Sequence, residues 1–154
     1  MASLRELSAG EAYAAASAIH EGYLAHRIEA GEDEASARAS ANAQFTTLFP
    51  GGAPAEGQHV MHVVEDGEVV GVLWMGRPFS GTPGMWWVFD VEIDEAHRGR
   101  GLGRAAMELA EEWTRKRGGT RVGLNVFGPN RVARALYDSL GYEVLATSMF
   151  KDLG

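Results

Sequence analysis

The sequence contains no cysteine, only five prolines and fewer basic than acidic residues. Without cysteine the chain forms neither disulfides nor thiolate zinc sites, and such a composition fits a reducing compartment such as the cytoplasm. With 21 Asp and Glu against 14 Lys and Arg, the net charge is −7 at pH 7. This balance argues against general binding to nucleic acid or to anionic membranes, because both attract basic surfaces.

Long hydrophobic runs are also absent. The longest, around residues 69–75, falls far short of the roughly 20 residues needed to cross a bilayer. The N-terminus carries acids where a signal peptide would carry bases followed by an apolar stretch. Because 154 residues with 45% hydrophobic content suit one core, we expect a single cytoplasmic domain over residues 1–154.

Hydrophobic periodicity and turn residues predict the element order β-α-α-β-β-β-α-β-α-β. Ser8 and Glu11 have capping-box spacing at the start of the first helix. Asp66-Gly67 between two apolar runs predicts a tight hairpin. We expect strands over 4–7, 59–64, 69–76, 85–94, 121–127 and 142–153, and helices over 8–30, 33–48, 101–117 and 129–140, the last with Pro129 in its first turn.

The most informative segment is residues 90–104, DVEIDEAHRGRGLGR, in which a strand enters a glycine-rich turn and a helix begins at once. Such a turn directs several backbone N–H groups to one point, where the positive end of the helix dipole adds to them. Arg98, Arg100 and Arg104 offer charge-assisted hydrogen bonds. The segment predicts a bound phosphate or pyrophosphate, whereas a bare three-glycine turn would indicate only a turn with solvated arginines.

Two nucleotide-binding motifs do not fit this turn. A Walker P-loop has a lysine after glycine, but the two lysines, Lys116 and Lys151, follow Arg115 and Phe150. A Rossmann fingerprint has a third glycine where Arg104 stands, and an acid about 20 residues further on where only Arg121 lies. The residues therefore exclude both motifs.

Two motifs resemble the GCN5-related N-acetyltransferase (GNAT) family, in an uncharacterised bacterial branch. Arg98-Gly99-Arg100-Gly101-Leu102-Gly103 matches the family's (Gln/Arg)-x-x-Gly-x-(Gly/Ala) signature, and residues 130–142 resemble its Asn-x-x-Ala-x-x-Leu-Tyr-x-x-x-Gly-(Phe/Tyr) segment. The resemblance covers nearly the whole chain. It implies a single-domain GNAT fold of class α/β (α+β), with a mixed central sheet of about six or seven strands flanked by about four helices.

The resemblance implies a role for each matched position. The amides of Arg98, Gly99, Arg100, Gly101, Leu102, Gly103 and Arg104 would hold the pyrophosphate of acetyl-CoA. In the family the preceding strand bulges and splays from its neighbour, so that the pantetheine arm pairs with backbone groups that map to Val91 and Ile93. Asn130 matches a cofactor-binding position and shares a helical face with Arg134 and Tyr137 by spacing. Tyr137 would protonate the departing thiolate, the alternative being a half-buried core tyrosine.

The general base is less well defined. Some family members use a glutamate on the strand after the cofactor helix, and Asn125 stands there in this chain. An amide cannot take a proton from the attacking amine. Glu92 and Asp90 are the candidate replacements, acting through ordered water, and a solvated strand face is the alternative for both.

The expected activity is transfer of an acetyl group from acetyl-CoA to a primary amine in a ternary complex, with no metal. The acceptor is a small-molecule amine or a protein or peptide amine, and the acidic first 58 residues, with 8 acids and 3 bases, favour a cationic one. Tyr23, Trp74 and the first two helices border the acceptor by family layout, which also allows a homodimer. Two alternatives stay open: a non-catalytic acyl-CoA-binding sensor or interaction module, and a structural protein without a cofactor.

Overall fold

The computed structural model describes all residues, 1–154, and contains one five-stranded sheet with four α-helices. The strands are β1 (Ala2–Glu6), β2 (His59–Glu65), β3 (Glu68–Gly76), β4 (Met85–Ile93) and β5 (Arg121–Leu124). The helices are α1 (Ala9–Glu29), α2 (Glu34–Leu48), α3 (Leu102–Lys116) and α4 (Arg131–Ser139), with short 3-10 turns at Pro50–Gly52 and Glu95–His97. Strands β1 to β4 form an antiparallel meander, and β5 is added parallel to β4.

Local sequence chemistry explains most of these boundaries. The Ser8 hydroxyl accepts a hydrogen bond from the Glu11 amide, and the Glu11 carboxylate accepts one from the Ser8 amide, which completes the predicted capping box. Asp66 and Gly67 have positive φ angles of 52° and 82°, as the type I′ turn of a two-residue hairpin requires. These features confirm the predicted hairpin and the start of α1.

The core lies on both faces of the sheet. On one face, buried residues of α3 and α4 pack against the strands; the cluster includes Leu102, Met107, Trp113 and Tyr137 of the helices and Leu73 and Met75 of β3. On the other face, α1 and the end of α2 cover a smaller cluster that contains Ala16, Phe49, Val60 and Trp74. The sheet is therefore the middle layer of three, and helices cover both of its faces.

The C-terminal part of the fold differs from the prediction. No strand forms over residues 142–153, so the sheet has five strands rather than six or seven. Strand β5 ends at Leu124 instead of residue 127. Helix α4 begins after Asn130, because the Asn130 side chain accepts a hydrogen bond from the Ala133 amide and acts as the N-cap, which leaves Pro129 outside the helix. The order from β1 to α4 is confirmed.

No helix in the structure combines the length and the apolar character that a membrane crossing requires.

Candidate functional site

The sheet is split beside β4, because the pairing of β4 with β5 stops about halfway along β4. The two strands pair in parallel only from Met85 opposite Arg121 to Val88 opposite Leu124. Strand β4 continues for five residues, 89–93, which have no partner on β5, and the last four of them pair with β3. One edge of β4 therefore has no strand partner over residues 89–93, and we call the region along this edge, beyond the end of β5, the opening.

A β-bulge lies at the start of this opening. Met75 of β3 stands opposite Val88, but Trp74 stands opposite Asp90, so Phe89 is an extra residue on β4. A bulge bends its strand and increases the local twist, which turns the end of β4 away from β5. The bulge implied by the family resemblance is present, and the pairing of β4 with β5 ends one residue before it.

The glycine-rich turn lies at the C-terminal end of the opening. Gly99 and Gly101 have φ angles of 76° and 75°, a left-handed conformation that glycine adopts without strain. None of the six backbone N–H groups of residues 99–104 donates a hydrogen bond within the protein. Because the last three begin α3, the helix dipole adds positive potential at the same point. This arrangement can bind an anion with several oxygen atoms.

The arginines of the turn are already engaged with the chain. The Arg98 Nε donates to the carbonyl oxygen of Ile93 at 3.0 Å, and Arg100 forms an ion pair of 2.9 Å with Glu65. Arg104 donates to the hydroxyl of Ser139 on α4. The three guanidinium groups are therefore held by contacts within the protein and are not directed at a phosphate site. Each guanidinium still has unused N–H donors beyond these contacts.

Tyr137 lies in α4 beside this turn. The residue is 9% exposed, and it belongs to the same buried cluster as Leu102 of α3. Its neighbour Leu136 lies 3.5 Å from the Cβ position that a side chain at Gly103 would occupy. The Tyr137 hydroxyl donates no hydrogen bond within the chain and is not sealed from solvent. Burial, and then the charge of Asp90, raise the pKa of Tyr137, so the phenol keeps its proton at neutral pH.

Asp90 lies at the bulge, within electrostatic range of Tyr137. Its Oδ2 atom is buried and has no hydrogen-bond partner. Burial first, and then the negative charge of Glu92, raise the pKa of Asp90 from 3.8 to about 7. Glu92 itself is exposed. Of the two candidate bases, Asp90 is the one whose environment suits proton transfer near neutral pH.

Two other site candidates, Asn130 and Arg134, lie at the start of α4 and within it. Asn130 precedes α4 as its N-cap, and Arg134, three residues before Tyr137 in that helix, is exposed. The Arg134 Nε lies 3.1 Å from Asp138 Oδ1 in an ion pair on the solvent side of α4. Of the three residues predicted to share a helical face, Asn130 is therefore the capping residue outside the helix, while Arg134 and Tyr137 are i, i+3 neighbours within it.

Val91 and Ile93 lie in the stretch of β4 that pairs with β3 but not with β5, with side chains against the α3 and α4 core. The Ile93 carbonyl accepts from Arg98, so one of the two predicted backbone groups is already bonded. Asn125 is exposed just beyond the end of β5.

Sequence reasoning missed several aromatic contacts around the site. Tyr142 packs against Tyr137 with ring centroids 5.8 Å apart and donates a hydrogen bond to Glu111 at 3.2 Å. Phe127, after β5, contacts Tyr23 and His26 of α1 at ring distances of 6.1 and 6.0 Å. Tyr23 therefore borders the chain that follows β5. Trp74, by contrast, is a core residue that donates to Gln58 Oε1 at 3.0 Å.

Comparison with protein families gives one match over most of the chain. Residues 16–142 match the family model described as "Acetyltransferase (GNAT) family". The matched range contains the split, the glycine-rich turn, Asp90 and Tyr137.

Known relatives and structures agree with this match. An uncharacterised N-acetyltransferase of Bacillus subtilis, YdgE, is 28% identical over 110 residues, which are 71% of this chain and 70% of that protein. The mycothiol acetyltransferase of Beutenbergia cavernae is 36% identical over 87 residues, 56% of this chain and 28% of that protein. The crystal structure of an acetyltransferase from Bacillus subtilis, YycN, superposes with a TM-score of 0.86 at 24% identity over 99% of both chains.

A more distant structure contains a ligand. AAC(6′)-Iy in complex with the bisubstrate analogue CoA-S-monomethyl-acetylneamine has a TM-score of 0.60 and 13% identity, over 99% of this chain and 97% of that one. At this identity the likeness concerns the fold alone.

Proposed function

The chain belongs to the acetyltransferase (GNAT) family and is an N-acetyltransferase, and from this premise we propose that it moves the acetyl group of acetyl-CoA directly to a primary amine in a ternary complex. The observation that carries the proposal is the row of six unbonded N–H groups at residues 99–104, placed where β4 and β5 separate. An anionic cosubstrate with a flexible arm suits both features, because its diphosphate pairs with the amides while the arm enters the opening.

The edge of β4 is the proposed binding surface for the pantetheine arm. Residues 89–93 have no strand neighbour on that side, so amide groups of the arm can pair with them as a further strand would. An N–H group near Val91 would donate to the thioester carbonyl and stabilise the negative charge that develops there. We propose that Asn130 and Arg134 contact the cosubstrate after rearrangement of their side chains, which now cap α4 and pair with Asp138.

Tyr137 and Asp90 are the proposed proton-transfer pair. The bound thioester supplies an activated acetyl group. As the amine nitrogen bonds to the carbonyl carbon and the carbon–sulfur bond breaks, the phenol of Tyr137 gives its proton to the sulfur. Asp90 takes a proton from the amine, directly or through water. The negative charge of Glu92 raises the pKa of Asp90. Proton exchange with solvent then restores both groups.

The acceptor class follows from charge. An amine is cationic until it loses its proton, and Asp90 with Glu92 places negative charge beside the opening. The first 58 residues, which form α1 and α2, carry 8 acids and 3 bases. We therefore favour a cationic small molecule, such as a polyamine or an aminoglycoside-like amine, with a protein amine as the second class.

The first test measures binding and turnover separately. CoA is expected to raise the melting temperature by several degrees, because ligand at 100 times Kd adds about 2.7 kcal/mol to the free energy of unfolding. Release of free thiol from acetyl-CoA is expected to accelerate with at least one amine in a panel of polyamines, aminoglycosides and N-terminal peptides. A melting temperature that CoA leaves unchanged contradicts the proposed site. A rise without turnover on any amine supports the sensor alternative.

A glycine substitution tests the turn itself. Ala at Gly101 must adopt a φ of 75°, so relaxation of the backbone would redirect the neighbouring amides and weaken CoA binding about tenfold. Gly118, at the other end of α3, is a matched control with a φ of 73° and, like Gly101, no atom within 4 Å of the added Cβ. Both variants should lose about 1 kcal/mol of stability, and only Gly101→Ala should raise the Kd measured by calorimetry. Equal Kd values in the two variants would remove the turn from the binding site.

A further inference from the structure

Two aromatic residues of β4 lie on the sheet face that carries α1 and α2. Phe89 packs against the buried cluster on this face, and Trp87, two positions earlier in the strand, lies on the same face by alternation. Trp87 also stands opposite Gly123 of β5, where a Cβ atom would come within 2.6 Å of the Trp87 ring. Both side chains are only half-buried. The helices therefore leave part of the aromatic surface of β4 uncovered.

A third aromatic residue comes from the loop between β3 and β4, residues 77–84. Phe79 is 58% exposed, and its ring meets that of Phe89 at a centroid distance of 6.2 Å and an angle of 89°. The loop is tied to the start of β4, because the Arg77 guanidinium donates to the Met85 carbonyl at 3.3 Å. It thus presents Phe79 to solvent beside Phe89. We call Phe79, Trp87 and Phe89 the aromatic surface.

Two carboxylates stand next to the aromatic surface, on the same face. Asp90 is opposite Trp74 of β3, and directly opposed residues of antiparallel strands share a face. Trp74 in turn stacks on Phe89 with ring centroids 5.1 Å apart. The bulge thus brings the consecutive residues Phe89 and Asp90 to one face, and Glu92 follows by alternation. Because the buried Oδ2 atom of Asp90 has no hydrogen-bond partner, a donor from outside the chain would satisfy it.

We infer that the acceptor is a primary amine on an apolar alkyl or aryl body, which packs on the aromatic surface while its amino group meets Asp90 and Glu92. The inference rests on the proposed function and names the acceptor class of that same site. In the transfer, the amine nitrogen bonds to the acetyl carbon and the carbon–sulfur bond breaks. The amine loses one proton, and CoA leaves as the thiol.

The chemistry of this surface distinguishes an apolar amine from other cationic amines. The loop over residues 77–84 contains no acidic residue, and its one charged side chain, Arg77, has its guanidinium 3.9 Å from the ring centroid of Trp86. Further ammonium groups of a polyamine would therefore meet no carboxylate in this loop. The hydroxyl groups of an aminoglycoside would lose water against phenyl rings that offer no hydrogen bond. An alkyl or aryl body instead gains free energy on leaving water.

Matched amines test the acceptor class first. Hexylamine and cadaverine have chains of equal length, but cadaverine carries a second ammonium group in place of the terminal methyl group. In thiol release from acetyl-CoA, kcat/KM is expected to be at least about tenfold higher for hexylamine. It should also rise by about fourfold per methylene from butylamine to hexylamine, because each added group leaves water. Phenethylamine against hexylamine then distinguishes an aryl from an alkyl body. A value for cadaverine that equals or exceeds that for hexylamine overturns the inference.

Two variants of Phe79 then test the surface itself. Phe79→Asn removes the ring, and Phe79→Asp removes it and adds a carboxylate of nearly the same shape. Both should lower kcat/KM for hexylamine by about tenfold, since a large apolar contact is lost. Only Phe79→Asp should raise kcat/KM for cadaverine, because its carboxylate can pair with the second ammonium group. Since Phe79 is largely exposed, the melting temperature and the Kd for CoA should stay close to the wild-type values. Unchanged hexylamine kinetics in both variants overturn the inference.

The outcomes separate this inference from the proposed function. If CoA raises the melting temperature and only polyamines or aminoglycosides are acetylated, the acetyl transfer stands and the apolar acceptor is wrong. If CoA binds and no amine releases thiol, the sensor alternative is supported and the acceptor class is overturned with the activity. A melting temperature that CoA leaves unchanged contradicts the cosubstrate site, on which both depend.

Discussion

Replacing Tyr137 with phenylalanine is expected to lower kcat by about 100-fold or more, since a positioned general acid contributes on the order of 10²–10⁴. The Kd for CoA should change less than about threefold, because the ring remains in the core cluster and its hydroxyl bonds to nothing else in the protein. Stability should be nearly unchanged for the same reason. Burial and Asp90 raise the pKa of the phenol, which keeps the wild-type group protonated over the whole working pH range.

Tyr142→Phe is the matched control for this substitution. Its ring lies 5.8 Å from that of Tyr137, but its hydroxyl is engaged with Glu111. Loss of that hydrogen bond should cost about 1 kcal/mol of stability, with kcat close to the wild-type value. Steady-state thiol release, with CoA binding by calorimetry, distinguishes the two tyrosines. If Tyr137→Phe keeps wild-type kcat, the acid is another group, and the buried core tyrosine becomes the correct interpretation of this residue.

Replacing Asp90 with asparagine is expected to have the second large effect. The wild-type kcat/KM should rise with pH and level off above an apparent pKa of about 7, because Asp90 accepts a proton only when ionised. In Asp90→Asn we expect a loss of about 100-fold at pH 8 and disappearance of this transition. Profiles of kcat/KM between pH 5 and 9, with an acceptor found in the panel, measure both quantities.

The same substitution should stabilise the protein at neutral pH. In the unfolded chain Asp90 loses its proton near pH 4, whereas the folded chain retains it until about pH 7. Wild-type stability therefore falls as the pH rises through this window and becomes constant above it. Asparagine does not titrate. The free energy of unfolding of Asp90→Asn should therefore exceed that of the wild type by an amount that grows from pH 4 to pH 7 and reaches up to about 4 kcal/mol. Urea unfolding at several pH values gives the difference, and a difference independent of pH would contradict the assigned environment of Asp90.

Glu92→Gln separates the two candidate bases. The charge of Glu92 raises the pKa of Asp90, so its removal should move the activity transition to lower pH while activity at pH 8 stays high. If Glu92 is instead the base, this variant loses activity at pH 8 and Asp90→Asn retains it. The pair of variants thus assigns the base by opposite outcomes.

Features that depend on neighbours in sequence were predictable. The capping box of Ser8 and Glu11 and the turn at Asp66-Gly67 arise from residues within a few positions of one another, and each has the predicted geometry. The glycine-rich turn between β4 and α3 was also predictable, because a strand, three glycines and a helix follow in direct succession. Interactions between residues close in sequence were therefore enough to predict these elements.

Features that depend on contacts between residues far apart in sequence were not predictable from local patterns. Alternation along β4 gave no sign that Phe89 is a bulge, since a bulge is defined by the register with β3, and only the family resemblance led us to expect one on this strand. Arg100 looked free to bind phosphate, but its partner Glu65 lies 35 positions away. Residues 142–153 have strand composition without a strand neighbour. Pairing across the chain, rather than propensity, decided all three.

The parallel ladder of β4 and β5 holds only four residue pairs, and the long connection over residues 94–120 joins its strands. The chain must close this connection, at the entropic cost of a long loop, before those few pairs contribute anything. The meander of β1 to β4 has no such requirement between β2 and β3, where a two-residue turn suffices. The β4–β5 ladder should thus assemble after the β2–β3 hairpin and come apart before it, which makes the width of the opening sensitive to local unfolding at this end of the sheet.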